Sequence, residues 1–265
     1  MSDGLRLDAA MAERGIARSR TVAAKLIADG LVTVNGSPAL KASLKVLESA
    51  TIEVAGADHY VSRGAHKLIA ALDGFDVDPT GRLALDVGAS TGGFTQVLLE
   101  RGARHVIALD VGHQQLVPEL RADPRVSVVE GFNARSMTAA ALAAASGISE
   151  IPGILVADLS FISLPTVLPA LVATVGTGAD YVLLVKPQFE VGRTGIREGI
   201  VRDAGLRADA LNGVLWAAWD LALPTAGVLP SPIAGGSGNR EFLVWFSTAS
   251  GTNPSQWRDE VQRIA

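Results

Sequence analysis

Cysteine is absent from all 265 residues, which excludes disulfide staples, a thiolate nucleophile and zinc–cysteine sites. No apolar run approaches the ~20 residues that span a bilayer, and Met1 to Ala10 do not read as a secretory signal. Those two absences predict a cytoplasmic protein without a membrane partner. Internal repeats and low-complexity tracts are missing too. Charge of either sign is nearly balanced, 23 Lys/Arg against 27 Asp/Glu for a net −4. So mild a total argues neither for nor against nucleic acid, because a local patch matters more. What the chain does have is apolar residues, 48% of the total, enough for a large core. The length suits one α/β domain of roughly 200 residues plus a small module.

The most informative stretch is Leu83 to Phe94, Leu-Ala-Leu-Asp-Val-Gly-Ala-Ser-Thr-Gly-Gly-Phe. A short apolar run, a glycine-rich loop and a helical pattern follow one another, as in a buried parallel strand that feeds a ligand loop. Gly88, Gly92 and Gly93 are expected to let the backbone approach a ligand, and Ala89, Ser90 and Thr91 to complete the loop. A dinucleotide fingerprint needs Gly-x-Gly-x-x-Gly, and the second glycine of that pattern is not here. Asp86 instead places a carboxylate just before the loop, which suits a ligand with an amino group and a positive centre. S-adenosylmethionine is such a ligand. The next apolar run, His105 to Leu109, ends in Asp110, an acid at the offset that accepts ribose hydroxyls in nucleotide-binding sheets. The competing reading is a plain structural turn.

Residues from about Leu5 to Val54 read as a separate α+β module, so that the chain divides into residues 1–55, a linker at 56–61 and a larger domain at 62–265. Leu7, Ala10, Met11 and Arg14 predict one helix. Ser19 caps a second that buries Val22, Ala23, Leu26 and Ile27 and stops at Gly30. Asn35-Gly36 is a strong hairpin signal. Seven Lys/Arg against three acids lie between Leu5 and Lys45, an excess that a solvated helix face also explains. The ordered pattern from Arg6-Leu7-Asp8 through Gly15, Ser19-Arg20 and Leu26-Ile27 to Val34-Asn35-Gly36 resembles the small RNA-binding domain named after ribosomal protein S-four. The resemblance implies that Arg6, Arg18, Arg20, Lys25 and Lys41 meet structured RNA, with Arg63 beyond the linker as a further contact.

Past the loop, helical and strand patterns alternate. Helices are expected at Gln114 to Leu120, Ala139 to Ala145, Leu164 to Thr174 (shortened or bent by Pro165 and Pro169) and Leu206 to Leu221. Strands are expected at Val126 to Glu130, Gly153 to Asp158 and Tyr181 to Lys186, around Val228, and at Glu241 to Phe246. Such alternation predicts a doubly wound, mostly parallel sheet covered on both faces. Asp158 and Lys186 each follow four apolar residues, where a charge is expensive unless paired. An internal ion pair would explain one such couple, yet both stand on the edge that carries the glycine loop. Glu241 follows the flexible Gly235-Gly236-Ser237-Gly238-Asn239.

Lys67, Asp158, Lys186 and Glu241, in that order, match the tetrad of FtsJ-type ribose 2′-O-methyltransferases. With Ser62-Arg63-Gly64-Ala65-His66-Lys67, Gly88 to Phe94, Ala157 to Ser163, Lys186-Pro187-Gln188-Phe189-Glu190 and Ser231-Pro232 to Gly238-Asn239, the whole chain resembles the TlyA (haemolysin A) family. The resemblance implies a class I (Rossmann-like) methyltransferase behind an RNA-binding domain. It implies 2′-O-methylation of cytidine in ribosomal RNA within ribosomal subunits, from S-adenosylmethionine, with an effect on capreomycin-type antibiotic sensitivity; the protein is expected to be a monomer. Lys186 is then the general base, Asp158 and Glu241 orient it, and Lys67 positions the ribose. A lysine does this only if its pKa, about 10.4 when free, is pulled down. No metal is needed, because the leaving group departs neutral. Arg193, Arg197 and Arg202 are expected either to hold phosphates or to line a solvated loop, and His66 to be structural or RNA-contacting. Two other functions compete: a ribosome-assembly factor without catalysis, and a membrane-lytic protein.

Overall fold

The structure is a computed structural model that describes residues 4–17, 19–28, 30–54, 59–192, 195–196, 198–235 and 238–265. It resolves into two compact units, Met1–Tyr60 and Val61–Ala265. In the first, β1 (Leu5–Arg6) leads into α1 (Leu7–Glu13) and α2 (Arg20–Ala28). Four short strands follow: β2 (Val32–Val34), β3 (Ser37–Pro38), β4 (Lys45–Val46) and β5 (Ile52–Val54). The strands pair as β3-β2-β5 and β1-β4, all antiparallel. Leu7, Met11, Ala23, Ile27, Val32 and Val46 form its core, so the periodicity of both helices places the face expected. The Ser19 hydroxyl accepts the Val22 N–H at 3.3 Å and starts α2. Asn35 and Gly36 both have positive φ, 49° and 77°, the conformation of the tight hairpin turn that this dipeptide favours.

The second unit begins with α3 (Gly64–Phe75). There follow β6 (Leu83–Val87), α4 (Gly93–Glu100), β7 (His105–Leu109), α5 (Pro118–Arg121), β8 (Val126–Val129) and α6 (Ala139–Ser146). Beyond them come β9 (Ile154–Ala157), α7 (Leu164–Val175), β10 (Asp180–Val185), α8 (Pro187–Glu190), α9 (Ala204–Trp219), β11 (Thr225–Pro230), β12 (Phe242–Phe246) and α10 (Arg258–Ile264). The sheet runs β11-β12-β10-β9-β6-β7-β8. Only β12 is reversed, antiparallel to both neighbours; the pairs among β6 to β10 are parallel. From β6 the chain steps outward to β7 and β8, then returns to β9 on the other side. Such a reversal opens a crevice at the carboxyl ends of the strands, where doubly wound sheets take their ligands. Alternation sends Leu83, Leu85 and Val87 into the core shared with α7 and α9. Ala84 and Asp86 therefore look to the opposite face, where α3 packs on α4.

Two helical expectations are corrected. Residues 111–117 are not helical; α5 is a single turn that starts at Pro118, because proline cannot continue a helix from its N-terminal side. Pro165 and Pro169 do not shorten α7. Pro165 lies in the first turn, where its missing N–H has no partner to lose, and Pro169 is carried inside a twelve-residue helix.

Candidate active site

Asp86, fully buried on β6, receives the Thr95 hydroxyl of α4 on Oδ2 at 2.7 Å, while Oδ1 is buried without a hydrogen-bond partner. Burial, opposed by the Thr95 hydrogen bond and helped by the nearby charge of Asp158, pushes its carboxyl up to about 7. The loop that follows is tight for reasons internal to the protein. Gly88 has φ 87°, and a Cβ there would stand 2.9 Å from the Asp158 carbonyl oxygen. Gly92, at φ 102°, lies under Leu116 and Leu120, and Gly93 against Ser62 Oγ. The close approach expected toward a ligand is thus made first to neighbouring side chains and backbone.

The expected loose amides are also largely taken. Gly88 and Ala89 donate to the Leu109 carbonyl (2.8 and 3.1 Å), Gly92 to that of Ala89 (2.8 Å), and Ser90 to Asp110 Oδ2 (2.8 Å). Asp110 Oδ1 accepts the Gly112 N–H at 2.7 Å. Each of its oxygens keeps a second lone pair for a ribose hydroxyl. With the amides of Gly88, Ala89, Ser90 and Gly92 consumed, the loop is a poor nest for pyrophosphate. An orphaned buried carboxylate oxygen on one strand and an acid on the next fit an ammonium-bearing nucleoside such as S-adenosylmethionine.

At the other side of the crevice stand two ion pairs. Lys186, at the end of β10 and mostly buried, lies 2.5 Å from Asp158 Oδ1. This contact is ionic, without the alignment of a hydrogen bond. The aligned partner of Lys186 Nζ is the Ser160 hydroxyl, at 2.8 Å. Lys67, one turn into α3, donates to Glu241 Oε2 at 2.6 Å, both groups buried. Glu241 thus partners Lys67 and not Lys186, a correction to the arrangement expected from the tetrad. The Gly235 backbone packs so closely on Glu241 Oε1 that a Cβ there has no room. The two pairs share one neighbourhood: a Cβ at Gly64, one turn before Lys67, would fall 3.8 Å from Asp158 Oδ2.

Ser160, Phe161 and Glu190 entered the sequence reading only as members of motifs, without a role of their own, and Thr95 did not enter it. Phe161 is 91% exposed with φ 65°, its ring 5.3 Å from that of Phe189, which lies 6.0 Å from Lys186 Nζ. Its signal was a phenylalanine that breaks the alternation behind Asp158. Glu190 accepts the Ser163 hydroxyl (2.6 Å) and the Leu164 N–H (2.9 Å), and so caps α7 from another element. Burial raises its carboxyl pKa.

In the first unit, Arg6 grips Asp8 with two hydrogen bonds (3.0 and 3.1 Å) and Arg20 joins at 3.2 Å. The Arg6 hydrogen bond chiefly, with help from Arg20, pulls the Asp8 carboxyl down to about 2. Lys25, Lys41 and Arg63 are exposed; Arg18, like Arg193 and Arg197, lies outside the described residues. Arg14 is structural, donating to the carbonyls of Ala50 (2.7 Å) and Leu47 (2.8 Å). Arg202 pairs with Glu198 at 2.9 Å.

The strand order, the reversed β12 and acids at the ends of β6 and β7 define a class I methyltransferase fold. Residues 60–248 match the family described as FtsJ-like methyltransferase, and residues 5–52 the S4 domain. The chain belongs to the FtsJ-like methyltransferases and, among them, to the TlyA (haemolysin A) family. It is 48% identical to the 16S/23S rRNA (cytidine-2′-O)-methyltransferase TlyA of Mycobacterium tuberculosis, covering 94% of this chain and 91% of the relative. Hemolysin A of Brachyspira hyodysenteriae is 39% identical, over 91% and 99%. A solved structure of a candidate hemolysin from Streptococcus thermophilus superposes with a TM-score of 0.78 at 36% identity, covering 100% of this chain and 95% of that one. No helix among the described residues is long and apolar enough to cross a membrane.

Proposed function

We propose that the protein transfers a methyl group from S-adenosylmethionine to the 2′-hydroxyl of cytidine in ribosomal RNA, within assembled subunits. The observation that carries this reading is the Lys186 amine, held by Asp158 and Ser160 at the carboxyl edge and flanked by the half-buried Phe189 ring, which in turn meets the exposed ring of Phe161. Asp86 would hold the ligand's ammonium and Asp110 its ribose. When bound, the cofactor would supply an electrophilic sulfonium methyl and a neutral thioether as leaving group. Lys186, neutral at that moment, accepts the hydroxyl proton on Nζ. Asp158 holds the amine beside the hydroxyl and stabilises the ammonium that forms. Lys67, fixed by Glu241, directs its remaining N–H groups at the ribose and adjoining phosphate. Phe161 offers a face on which a nucleobase turned out of its stack can rest, and its left-handed backbone is the kind of strain that collects at functional sites. The S4 domain supplies RNA affinity through Arg6, Arg18, Arg20, Lys25 and Lys41, with Arg63 contributing from the second unit.

The experiment incubates ribosomal subunits with labelled cofactor and maps 2′-O-methyl groups on both RNAs. Wild type is expected to methylate, and Lys186→Ala to fall by about 10²–10⁴-fold with cofactor binding intact. Lys186→Arg separates base from salt bridge, because guanidinium keeps the charge and cannot take up a proton. A folded, active Arg variant would remove Lys186 from the role of base.

A further inference from the structure

The Lys186 amine is a rotor about its Cε–Nζ bond, and its two partners restrain it differently. Asp158 Oδ1 is close, at 2.5 Å, but the contact is a charge attraction without hydrogen-bond alignment. Attraction between charges falls off only as the inverse of distance and holds position more than direction. The Ser160 hydroxyl is different: it accepts from Nζ at 2.8 Å with hydrogen-bond geometry. Bonded to Ser160, one of the three outer positions on the tetrahedral nitrogen is fixed, and with it the directions of the other two.

We propose that Ser160 is a positioning residue that aims the Lys186 lone pair at the substrate hydroxyl. This rests on the reading of Lys186 as the proton acceptor. In the neutral amine one N–H stays on Ser160 and the second is drawn to the Asp158 carboxylate. The lone pair is left at the third position, away from both partners. An arriving ribose hydroxyl then finds an acceptor already turned toward it, and no rotation has to be stopped during the reaction. After transfer the new N–H occupies that third position and the other two bonds are unchanged. Asp158 could not do this alone, because an unaligned carboxylate attracts any of the N–H groups equally. The bland alternative for an exposed serine is a solvated loop residue that happens to lie near an amine.

The test compares Ser160→Ala and Ser160→Thr with wild type in single-turnover methyl transfer to ribosomal subunits, with cofactor and RNA saturating. Ser160→Ala should lower the maximal rate roughly 10- to 100-fold, the range for a misaligned reacting group. Its cofactor Kd and the RNA concentration for half-maximal rate should stay within about twofold. The pH–rate curve should keep its inflection and lose only its plateau, and Ser160→Thr, which retains the hydroxyl, should restore most of the rate. A wild-type plateau in Ser160→Ala overturns the proposal. So does an effect confined to half-saturation, which would make Ser160 an RNA contact, or a threonine variant that is folded and unrescued. Heteronuclear NMR of the lysine amino groups tests the restraint without activity. A Lys186 signal protected from exchange should be present in wild type and Ser160→Thr and lost in Ser160→Ala. Should wild type methylate no subunit RNA, the functional reading fails, while this measurement still decides whether Ser160 fixes the amine.

Discussion

Asp86 carries a charge problem that the folded protein resolves by holding a proton. Its carboxyl is pushed up to about 7, against about 3.9 in an unfolded chain. With the folded value raised, its contribution to stability is complete below about pH 4 and is lost as pH rises through 7. A bound ammonium reverses the preference, because it favours the ionised form. Cofactor affinity is therefore expected to rise between pH 5 and 8, and binding near neutrality to release a proton, measurable by calorimetry in buffers of different ionisation enthalpy. Asp86→Asn should raise the ligand-free Tm at pH 8 while weakening cofactor binding. A pH-independent affinity would separate Asp86 from the ammonium. At this scale the sequence was legible where a charge closes an apolar run, as at Asp86, Asp158 and Lys186. Thr95 and Ser160 were not, because a hydroxyl is unremarkable in sequence until the fold sets a buried carboxylate or an amine against it. The partnership of Glu241 with Lys67, 174 residues apart, was hidden for the same reason.

Strands and helices were read best where pattern and punctuation agree. The run Leu83–Val87, bounded by a turn and a glycine, became β6 as expected. The run ending at Phe246 was visible as a strand but not as a reversed one, since an apolar run reads alike in either direction and only the path through β11 decides. The length of helix α7 was misjudged at Pro165 because that proline was weighed by its presence and not by its place in the first turn; Pro169 is carried inside the helix. Its N-terminus is capped by Glu190 from α8, a contact that also anchors the segment Asp158–Ser163 to the turn after Lys186. Glu190→Ala should cost about 0.5–2 kcal/mol, the range for removing a helix cap. Glu190→Gln should be milder, keeping an oxygen for the Leu164 N–H. Urea unfolding of the two variants checks this; equal, negligible shifts would mean that solvent caps α7 just as well. Gly92→Ala should be worse than either. It combines φ 102° with a Cβ thrust against Leu120 and within 2.8 Å of Leu116, which either repacks α5 or displaces the loop that bears Ser90.

Two units with separate cores, one matching the S4 domain and the other the FtsJ-like methyltransferases, are expected to let RNA affinity and methyl transfer be altered one at a time. The first unit gathers Arg6 and Arg20 on a single carboxylate, Asp8, and three charges in one cluster leave a net excess of one cation in a fixed geometry. Arg6 holds Asp8 through two hydrogen bonds and is the larger cause of its lowered pKa, so the cluster survives without Arg20. Arg20 is the more exposed of the two, at 61% against 44% of the side chain, and is therefore the arginine freer to meet a phosphate. Arg20→Ala should weaken subunit binding and make the dependence of log K on log salt shallower by about one unit, because one phosphate fewer is neutralised on binding. Cofactor affinity, measured on the same preparation, should be unchanged, because Arg20 and the cofactor-binding residues belong to different units, each with its own core. Thermal unfolding separates this from damage to the fold, since Asp8 retains Arg6 and the Tm should move little. If affinity falls while the salt slope holds, Arg20 serves the internal cluster and the phosphate is met elsewhere, with Lys25 and Lys41 the next cations to replace.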